Sequence, residues 1–539
     1  MHNFSYDFGD HYFEFRGYRI AFRVFTLENT YTLDPTQTQV ETIPNGVRVK
    51  ANGFFAAGRQ IHCRGTFQAK IQALDEGLSV IASATHPEKI KSLGVLLKGV
   101  PAISEVISTR WGATNKHNIE QAIPVEWPEE CVLRYTEEGF PIFFFRVGDG
   151  NRQFYAMNMD DQIRQKRFAI WFDKNREQVI DLIFVENARH FRTEINMPEW
   201  RFGPCLDIES VYQERLQLMK EKWGLRSWEE RKDIPNWARK ISLVLNMHGE
   251  HWTGYVFNTF NQHLDILRFV TKYIPGERVL VYLPGWDGRY YYNYPLYQVS
   301  ERMGGETGFK RLVDGAHEMG LHVVPMFGTN GANMKWLHKL GLEDAISHTA
   351  QGWEDFVNFV DWDNDRSGQE QVHWLNMGHK GYQDYMFNRA SELIDKYGVD
   401  GVFYDISHWH VNDPKYDFFE GFKSLCLRIR ERYSQILLFG EGWYDALLPL
   451  IPLFHSQRYP LYLEAFTKYA RMAGHLRLPA PGAGSSGVHE RGFECYKRVT
   501  FSPILIPTLS IVDDTLSDHK EEVLATIEVA KEYARKMGI

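Results

Sequence analysis

The chain has 539 residues, of which 44% are hydrophobic and 24% are charged, and its formal net charge is -8. A chain of this length is too long for one core, so we expect two large domains, or a large barrel with a smaller partner domain. No run approaches the ~20 apolar residues of a membrane helix. The acidic balance without long basic runs excludes an electrostatic footprint for nucleic acid or anionic lipid and favours a neutral partner.

The cysteines and the N-terminal residues indicate in which cellular compartment the protein is expected and whether it is expected to bind a metal. The five cysteines are scattered along the chain, which argues against a disulfide framework and a zinc cluster. The first twenty residues lack the basic start and apolar stretch of a secretory signal, so the sequence favours the cytoplasm. We predict no metal and no cofactor, and we leave a homo-oligomer open.

Residues 1-206 show a period of two. In GYRIAFRVF, Ile20, Phe22 and Val24 share one face, and GVRVKANG alternates Val47 and Val49 with basic residues. Similar runs recur at PIFFFRVGDG, KRFAIWFDKN and QVIDLIFVEN, separated by turn residues. Alternation of this kind predicts half-buried antiparallel strands, and we interpret residues 1-206 as a large β-sandwich. Residues 207-235 are predicted to form a helical linker.

Residues 236-539 instead alternate short apolar runs with helical patterns. GFKRLVDGAHEMG and KGYQDYMFNRASELIDKYG each keep three-and-four spacing and end at a glycine, Gly320 and Gly398. We predict strands at about 243-247, 279-284, 322-327, 401-405, 436-441, 451-455 and 504-512, and one more between 456 and 503. Eight β-α units predict a (β/α)8 barrel. The stretch 330-378 is long for a connection and is predicted to be an insertion over the barrel mouth.

Two carboxylates end consecutive strands of this predicted barrel. YGVDGVFYDISHWH carries Asp405 at its strand end, and LLFGEGWYD carries Glu441 at the next. Catalytic groups of such barrels come from the carboxyl ends of the strands. Each acid also follows a phenylalanine by two positions, Phe403 and Phe439, so an apolar layer is expected beneath the pair. Neighbouring strands lie ~4.8 Å apart, which mildly favours the ~5-5.5 Å carboxyl separation of retaining glycosidases.

These two segments resemble the strand-four and strand-five motifs of the α-amylase superfamily and related α-glycosidase barrels. The alternating N-terminal half resembles the β-supersandwich that precedes such barrels, including those of endo-α-N-acetylgalactosaminidases. The resemblance implies a glycoside hydrolase in which Asp405 is the nucleophile and Glu441 the general acid/base. The arginine that many α-amylases carry two residues before the nucleophile is Phe403 here, so the exact family stays unassigned.

A third carboxylate is expected after the last strand. No Asn-His-Asp motif marks it. Our candidate is Asp513 in LSIVDDT, and Asp514 is a nearly equal second candidate. Asp400 precedes its strand, far from a carboxyl-end mouth, so we assign it a structural role.

Aromatic and histidine side chains follow several of the strands and could contact a sugar. An aromatic face covers the C-H surface of a pyranose, and polar neighbours bind its hydroxyl groups. The loop LPGWDGRYYYNYPLYQ after the second strand is predicted to form a substrate wall. The predicted substrate-binding residues are His248, Trp252, Trp286, Asp287, Tyr292, His408, Trp409, Trp443 and His455.

The sequence therefore predicts a glycosidase that cleaves an α-linked glycoside by retention, with a carbohydrate as its partner. Two alternatives stay open. NMHGEHW supports a metal-dependent barrel hydrolase through His248, Glu250 and His251, although the spacing is not that of a zinc protease. The aromatic mouth also fits a barrel that binds glycans without cleaving them.

Overall fold

The computed structural model describes residues 8-108, 115-118, 133-251, 254-289, 291-357, 372-456, 466-474, 503, 505-513 and 515-539. It combines an antiparallel β-sandwich with a parallel barrel, in agreement with the predicted fold class. Within these ranges, no helix combines the length and the apolar character needed to cross a membrane.

In the described part of the N-terminal domain, seventeen connected strands, β1 to β17, form the sandwich. The longest is β9, which pairs with β8 and β17 in its first half and with β2 and β16 in its second half. The strands are Phe13–Phe15, Tyr18–Thr26, Thr30–Leu33, Thr38–Ile43, Gly46–Ala51, Phe54–Ala56, Ile61–Cys63, Thr66–Leu74, Gly77–Lys98, Ile103–Ser108, Asn115–Asn118, Leu133–Tyr135, Ile142–Val147, Arg152–Asn158, Lys166–Phe172, Gln178–Val185 and Arg192–Pro204.

Alternation along these strands decides where the sandwich core lies. Ile20, Phe22 and Val24 of β2 and Val47 and Val49 of β5 are buried in one core, as the period of two predicts. The run IFFF of β13 shows no alternation because both of its faces are buried. Alternate residues of that run enter the sandwich core or the core that is shared with the barrel.

The barrel strands are β18 to β20 and β24 to β29, and all their pairings are parallel. Only Pro507 separates β28 from β29; β28 pairs with β27 and β29 pairs with β18, so the two segments act as one last strand that completes a ring of eight. The strands are Leu243–Met247, Val279–Leu283, His322–Gly328, Gly401–Asp405, Leu437–Glu441, Leu453–Ser456, Arg471–Gly474, Leu505–Ile506 and Thr508–Ile511. The strand expected between 456 and 503 is β27.

The α-helices within the described ranges are numbered in chain order. They are α1 to α8: Ile208–Trp223, Phe260–Val270, Gly305–Glu318, Met334–Leu340, Lys380–Tyr397, Phe418–Arg432, Thr515–Asp518 and Lys520–Met537. Helix α5 ends at Gly398 in the left-handed conformation, as the glycine cap predicts.

The expectation of a helix after every barrel strand is wrong at residues 442-452, between β25 and β26. The described chain there holds only one short 3-10 turn, Asp445–Leu447. Helix α1, which comes from the linker, packs against this turn, and Arg215 of α1 forms an ion pair with Asp445 in which both side chains are fully buried. The sandwich side of the molecule therefore covers the barrel where a barrel helix is missing.

The segment between β20 and α5 contains a three-stranded sheet of Gly331–Asn333, Phe356–Val357 and Val372–Trp374, here β21 to β23, together with α4. β21 begins three residues after β20 ends, which is the carboxyl end of a barrel strand. The insertion predicted for 330-378 starts at this position; residues 358-371 lie outside the described ranges.

Candidate active site

The two predicted acids meet at the carboxyl ends of neighbouring strands. β24 and β25 pair in parallel with Phe403 opposite Phe439, and the chain then reaches Asp405 and Glu441 two positions later on each strand. Asp405 is buried and Glu441 half-buried. Their carboxyl groups are within hydrogen-bonding contact of each other.

An aromatic layer lies directly beneath the acids inside the barrel. The rings of Phe403 and Phe439 meet edge to face with centroids 4.7 Å apart, and Tyr282 of β19 lies 4.2 Å from Phe403. His455 of β26 completes this layer, with its ring centroid 5.1 Å from that of Tyr282. The layer excludes water from below, which disfavours charge on the carboxyls above it.

The carboxyls of Asp405 and Glu441 lie in different electrostatic environments. Burial, followed by the neighbouring charge of Glu441 and the hydrogen bond between the two groups, raises the pKa of Asp405 well above its usual range. Glu441 has a donor of its own, because the backbone N-H of Ile406 lies 2.9 Å from its Oε2. Two hydrogen-bonded carboxyls of this kind titrate as a unit, and the hydrogen bond between them requires a proton on one of the two.

Two residues at the catalytic pair have a strained backbone. Ile406, directly after Asp405, has φ of 54°, and Tyr291 has φ of 62°. A β-branched or bulky side chain is disfavoured at positive φ, and such residues concentrate at functional sites where the surroundings fix them. Here the strain at Ile406 accompanies its N-H bond to Glu441, and the strain at Tyr291 accompanies a hydrogen bond from its phenol to Asp405.

The loop after β19 also brings Asp287 and Tyr294 to this region. Asp287 is buried, and neither of its carboxylate oxygens has a hydrogen-bond partner among the described residues. Burial, and then the charge of Glu250, raise its pKa well above the usual range. The charges of Asp287 and Asp405, after burial, raise the pKa of Tyr294, so this phenol lies near both acids.

The chain after β20 supports the pair from the other side. The N-H of Thr329 donates to the backbone carbonyl of Asp405 at 3.2 Å, and its hydroxyl donates to the same oxygen. Asn330 follows, fully buried, with both side-chain amide atoms unpaired in the described part of the chain. Sequence reasoning placed Tyr291 in the predicted substrate wall without singling it out, and it missed Thr329 and Asn330. Tyr291 stands among similar tyrosines, and no local signal distinguishes it.

The sandwich contacts the loop that follows Asp405. The side-chain amide of Asn412 accepts the N-H of Ala188 at 2.6 Å and donates to the carbonyl of Glu186 at 2.9 Å. Arg189 forms an ion pair with Asp417, which caps the start of α6. These contacts, defined here as the domain clamp, tie residues 186-189 to both ends of the segment 412-417.

Of the predicted substrate residues, His408 contacts the pair directly, and Trp409 and Tyr292 are half-buried among other side chains. His408 is half-buried, with Nδ1 3.0 Å from the backbone carbonyl oxygen of Glu441. Trp409 is half-buried against Trp374 and Phe418. Tyr292 is half-buried with the Arg289 guanidinium 4.1 Å from its ring centroid.

Other predicted residues occupy packing positions. Trp286 is fully buried between Phe309 and Phe327, and its indole N-H donates to the Met326 carbonyl at 2.7 Å. Trp443 is buried against Phe140 of the sandwich. Packing and a hydrogen bond account for Trp286, whereas the buried indole N-H of Trp443 has no hydrogen-bond partner among the described residues. The substrate-binding role of each stays a prediction.

The predicted histidines and the third acid are spread around the barrel end. His248 is buried after β18, and His455 lies in the aromatic layer 3.2 Å from Asn246. Asp513 is exposed after β29 and accepts a hydrogen bond from Tyr255. Trp252 and Asp514 lie outside the described residues. The third-carboxylate assignment stays a prediction.

The metal alternative finds no assembled ligand set in the described ranges, where no three His, Cys, Asp or Glu side chains are grouped to hold an ion. Glu250 is instead engaged by Arg302 and by the Ser300 hydroxyl at 3.0 Å. Asp400, assigned a structural role, accepts the N-H of Val323 at 2.7 Å and contacts His317 at 2.9 Å at the opposite end of the strands.

Comparison with known proteins gives a shared fold. A scan against family models found no match, and neither did a search of curated proteins. Among solved structures, the ligand-free α-N-acetylgalactosaminidase NagBb from Bifidobacterium bifidum is similar at 13% identity and a TM-score of 0.63, over 97% of this chain and 93% of that chain.

Two further structures share the architecture. A GH31 family sulfoquinovosidase from E. rectale gives a TM-score of 0.56 at 10% identity, over 97% of this chain and 82% of that one. The GH36 α-galactosidase AgaA from Geobacillus stearothermophilus gives 0.50 at 11% identity, over 96% and 76%. The sandwich followed by a (β/α)8 barrel is therefore the architecture of known glycoside hydrolases, and this chain has it over nearly its full length.

Proposed function

We propose that the protein is a glycoside hydrolase that cleaves an α-linked glycoside with retention of configuration. The observation that carries the proposal is the hydrogen-bonded contact of Asp405 and Glu441 at neighbouring strand ends, above an aromatic layer. The architecture shared with an α-N-acetylgalactosaminidase, an α-galactosidase and a sulfoquinovosidase supports the reaction class and the α linkage.

The contact between the carboxyls favours retention over inversion. An inverting enzyme keeps its carboxyls roughly 6.5-9.5 Å apart because a water molecule must fit between one of them and the sugar. Carboxyls that share a hydrogen bond leave no such space. Retaining enzymes separate theirs by roughly 5-5.5 Å, which a small opening of this pair reaches when a sugar enters.

In the reaction we propose, an oxygen of Asp405 attacks the anomeric carbon while the bond from that carbon to the leaving oxygen breaks. Glu441 gives its proton to the leaving oxygen. In the second step Glu441 takes a proton from water, the water oxygen attacks the anomeric carbon, and the ester bond to Asp405 breaks. Each carboxyl returns to its starting state.

This assignment requires the shared proton on Glu441, whereas burial favours it on Asp405 in the free enzyme. Transfer between two hydrogen-bonded carboxyls leaves the total charge of the pair unchanged, so substrate binding can redistribute the proton without exchange with solvent. A donor that remains at Asp405, the Tyr291 phenol, stabilises its ionised form once the sugar separates the pair.

We propose that the sugar is recognised in part by Asp287. A buried carboxyl with unpaired oxygens near the catalytic pair is suited to accept hydrogen bonds from sugar hydroxyls, because burial without such partners is costly. Asn330 offers a donor and an acceptor in the same way. Asp287→Asn is expected to lower kcat/KM at least about tenfold.

The test is a screen of aryl α- and β-glycosides of galactose, N-acetylgalactosamine, glucose and sulfoquinovose, with the anomer first released followed by NMR. We expect turnover of an α-glycoside with an α-configured first product. Asp405→Ala and Glu441→Ala are then assayed with azide. A nucleophile variant rescued by azide yields the inverted β-glycosyl azide, and an acid/base variant yields the retained α-glycosyl azide.

Each result has a defined meaning. A β-azide from Asp405→Ala and an α-azide from Glu441→Ala support the assigned roles, and the opposite pattern reverses them. An inverted hydrolysis product contradicts retention. Full activity in both variants contradicts the catalytic pair itself.

A further inference from the structure

A cavity lies at the seam between the two domains. It has a volume of about 440 Å³ and is enclosed by sandwich loops 161-163 and 187-190, the end of α1, the first turns of α6 and residues 446-450. Ligand pockets range over roughly 300-1,000 Å³, so it is large enough for a short oligosaccharide. Its lining includes neither Asp405 nor Glu441, so it is separate from the catalytic pair.

Trp223 gives this cavity a rigid aromatic wall. The guanidinium of the fully buried Arg215 lies 4.9 Å from the Trp223 ring centroid and covers one face of the indole. The indole N-H donates to the Asp161 carbonyl at 2.9 Å, which fixes the ring edge. A half-buried indole that is held on one face and at one edge, and that lines a cavity, presents a preformed stacking surface.

The charges around the cavity are matched in pairs. Lys423 contacts Glu420 at 3.2 Å, Lys222 contacts Asp161 at 3.9 Å, and Arg189 pairs with Asp417. The three cations and three anions of the lining therefore cancel, and an ionic ligand gains no net attraction. The same groups still offer donors and acceptors to a neutral ligand.

Apolar side chains complete the lining between these polar groups. Phe419 and Leu450 are buried on the barrel side, and Ile163 is buried on the sandwich side. An aromatic stacking face, apolar patches and paired charges that donate and accept hydrogen bonds are the features that recognise a carbohydrate.

We propose that the interdomain cavity is a second, non-catalytic binding site for a neutral carbohydrate, with Trp223 as its stacking platform. The site rests on the cavity and its lining and does not depend on the proposed reaction.

The test measures binding to the full-length chain carrying Asp405→Asn, which prevents turnover. Raffinose, maltotriose and tri-N-acetylchitotriose are the neutral probes, and trigalacturonic acid is the anionic comparator. Binding is followed by isothermal titration and saturation-transfer NMR. We expect at least one neutral trisaccharide to occupy a site that Trp223→Ala weakens at least about tenfold and Trp223→Phe weakens less.

Trp237→Ala is the matched control, because Trp237 is also half-buried and its indole N-H donates to a backbone carbonyl, that of Gln435, at 3.3 Å outside the cavity. It is expected to leave binding unchanged. If Trp223→Ala does not fold, the exposed pair is used instead: Glu420→Ala with Lys423→Ala removes cavity contacts without disturbing a core.

The outcomes separate the two proposals. If a trisaccharide also binds at the barrel mouth, that second binding event is not affected by Trp223→Ala. If the proposed reaction fails, binding that depends on Trp223 is still expected. The inference is overturned if no neutral probe shows binding that depends on the cavity residues, or if trigalacturonic acid binds the cavity more tightly than the neutral probes do.

Discussion

At the scale of single residues, several energetically unfavourable features meet at Asp405. Its carboxyl is buried over aromatic rings, touches a second carboxyl and precedes a β-branched residue at positive φ. None of these features stabilises the fold. Each one instead prepares a proton-sharing pair in a fixed geometry, which is the arrangement expected of a reaction centre.

Asp405→Asn is expected to stabilise the protein in a way that depends on pH. Because the pKa of Asp405 is raised in the folded state, the wild type is fully favoured below the ordinary Asp pKa and loses stability as pH rises through the folded-state pKa. The amide does not ionise. The melting temperature of the variant should therefore exceed that of wild type by more at pH 7 than at pH 4, on the order of 1-2 °C. An equal difference at both pH values contradicts this account.

Tyr291→Phe removes the phenol that donates to Asp405. The hydrogen bond lowers the pKa of Asp405, so its loss disfavours the ionised nucleophile and shifts the acidic limb of the kcat/KM profile to higher pH. We expect kcat/KM to fall about tenfold at neutral pH. Tyr433→Phe is the control, since its phenol also donates to a carboxylate, that of Asp395 at 2.9 Å, which has no role in the site. A pH profile identical to that of wild type would exclude the role of Tyr291.

At the scale of elements, the loop after β24 is held from outside the barrel. The domain clamp joins sandwich residues 186-189 to Asn412 and Asp417, while the same loop begins with Ile406, whose N-H binds Glu441. The sandwich thereby restrains a catalytic loop, which gives the N-terminal domain a role beyond covering the barrel.

Asn412→Ala breaks the two backbone contacts of the clamp. We expect kcat to fall about tenfold with little change in KM, because looser positioning affects the transition state more than binding. Asn412→Asp keeps the acceptor for the Ala188 N-H, so its kcat should lie between that of the wild type and that of Asn412→Ala. Asn175→Ala, at an exposed turn of the sandwich, is the control. Steady-state kinetics across pH are the measurement, and a change confined to thermal stability contradicts a positioning role.

At the scale of the whole molecule, the two domains share a continuous apolar core. Residues of β13, β14, α1 and the barrel belong to one cluster, and Arg215 of α1 forms a fully buried ion pair with Asp445 of the barrel. Asp445 also accepts the phenol of Tyr135 of the sandwich at 2.5 Å. The domains are therefore expected to unfold together.

Arg215→Met leaves Asp445 buried without its counter-ion, which costs roughly 3-5 kcal/mol. We expect a lower urea midpoint and, in calorimetry, a separation of the single transition into two. The comparison is Arg428→Met, which breaks the more exposed pair with Asp384 and should cost about 1 kcal/mol or less. Equal effects of the two variants would show that the domain interface does not depend on the ion pair.

Where the sequence predicted the structure correctly, it did so through patterns along a single strand or helix. Period two placed Ile20, Phe22 and Val24 in the sandwich core, and three-and-four spacing ending at Gly398 marked α5. Patterns failed where tertiary neighbours replace a local element: the barrel has no helix at 442-452, because α1 from the linker covers that side. Local sequence also did not reveal that Trp286 and Trp443 pack against other aromatic rings, since a tryptophan after a strand has the same sequence whether it packs or faces a ligand.

The sequence by itself determined the two periodicities, the barrel strands and the acids that end two of them, because these depend on spacing along one strand or helix. Only the tertiary structure decided that Asp405 and Glu441 touch, that Tyr291 and Ile406 support them, and that Asn412 ties their loop to the sandwich. Those contacts join residues distant in the chain, and their energies depend on burial and on neighbouring charge, which spacing alone does not encode.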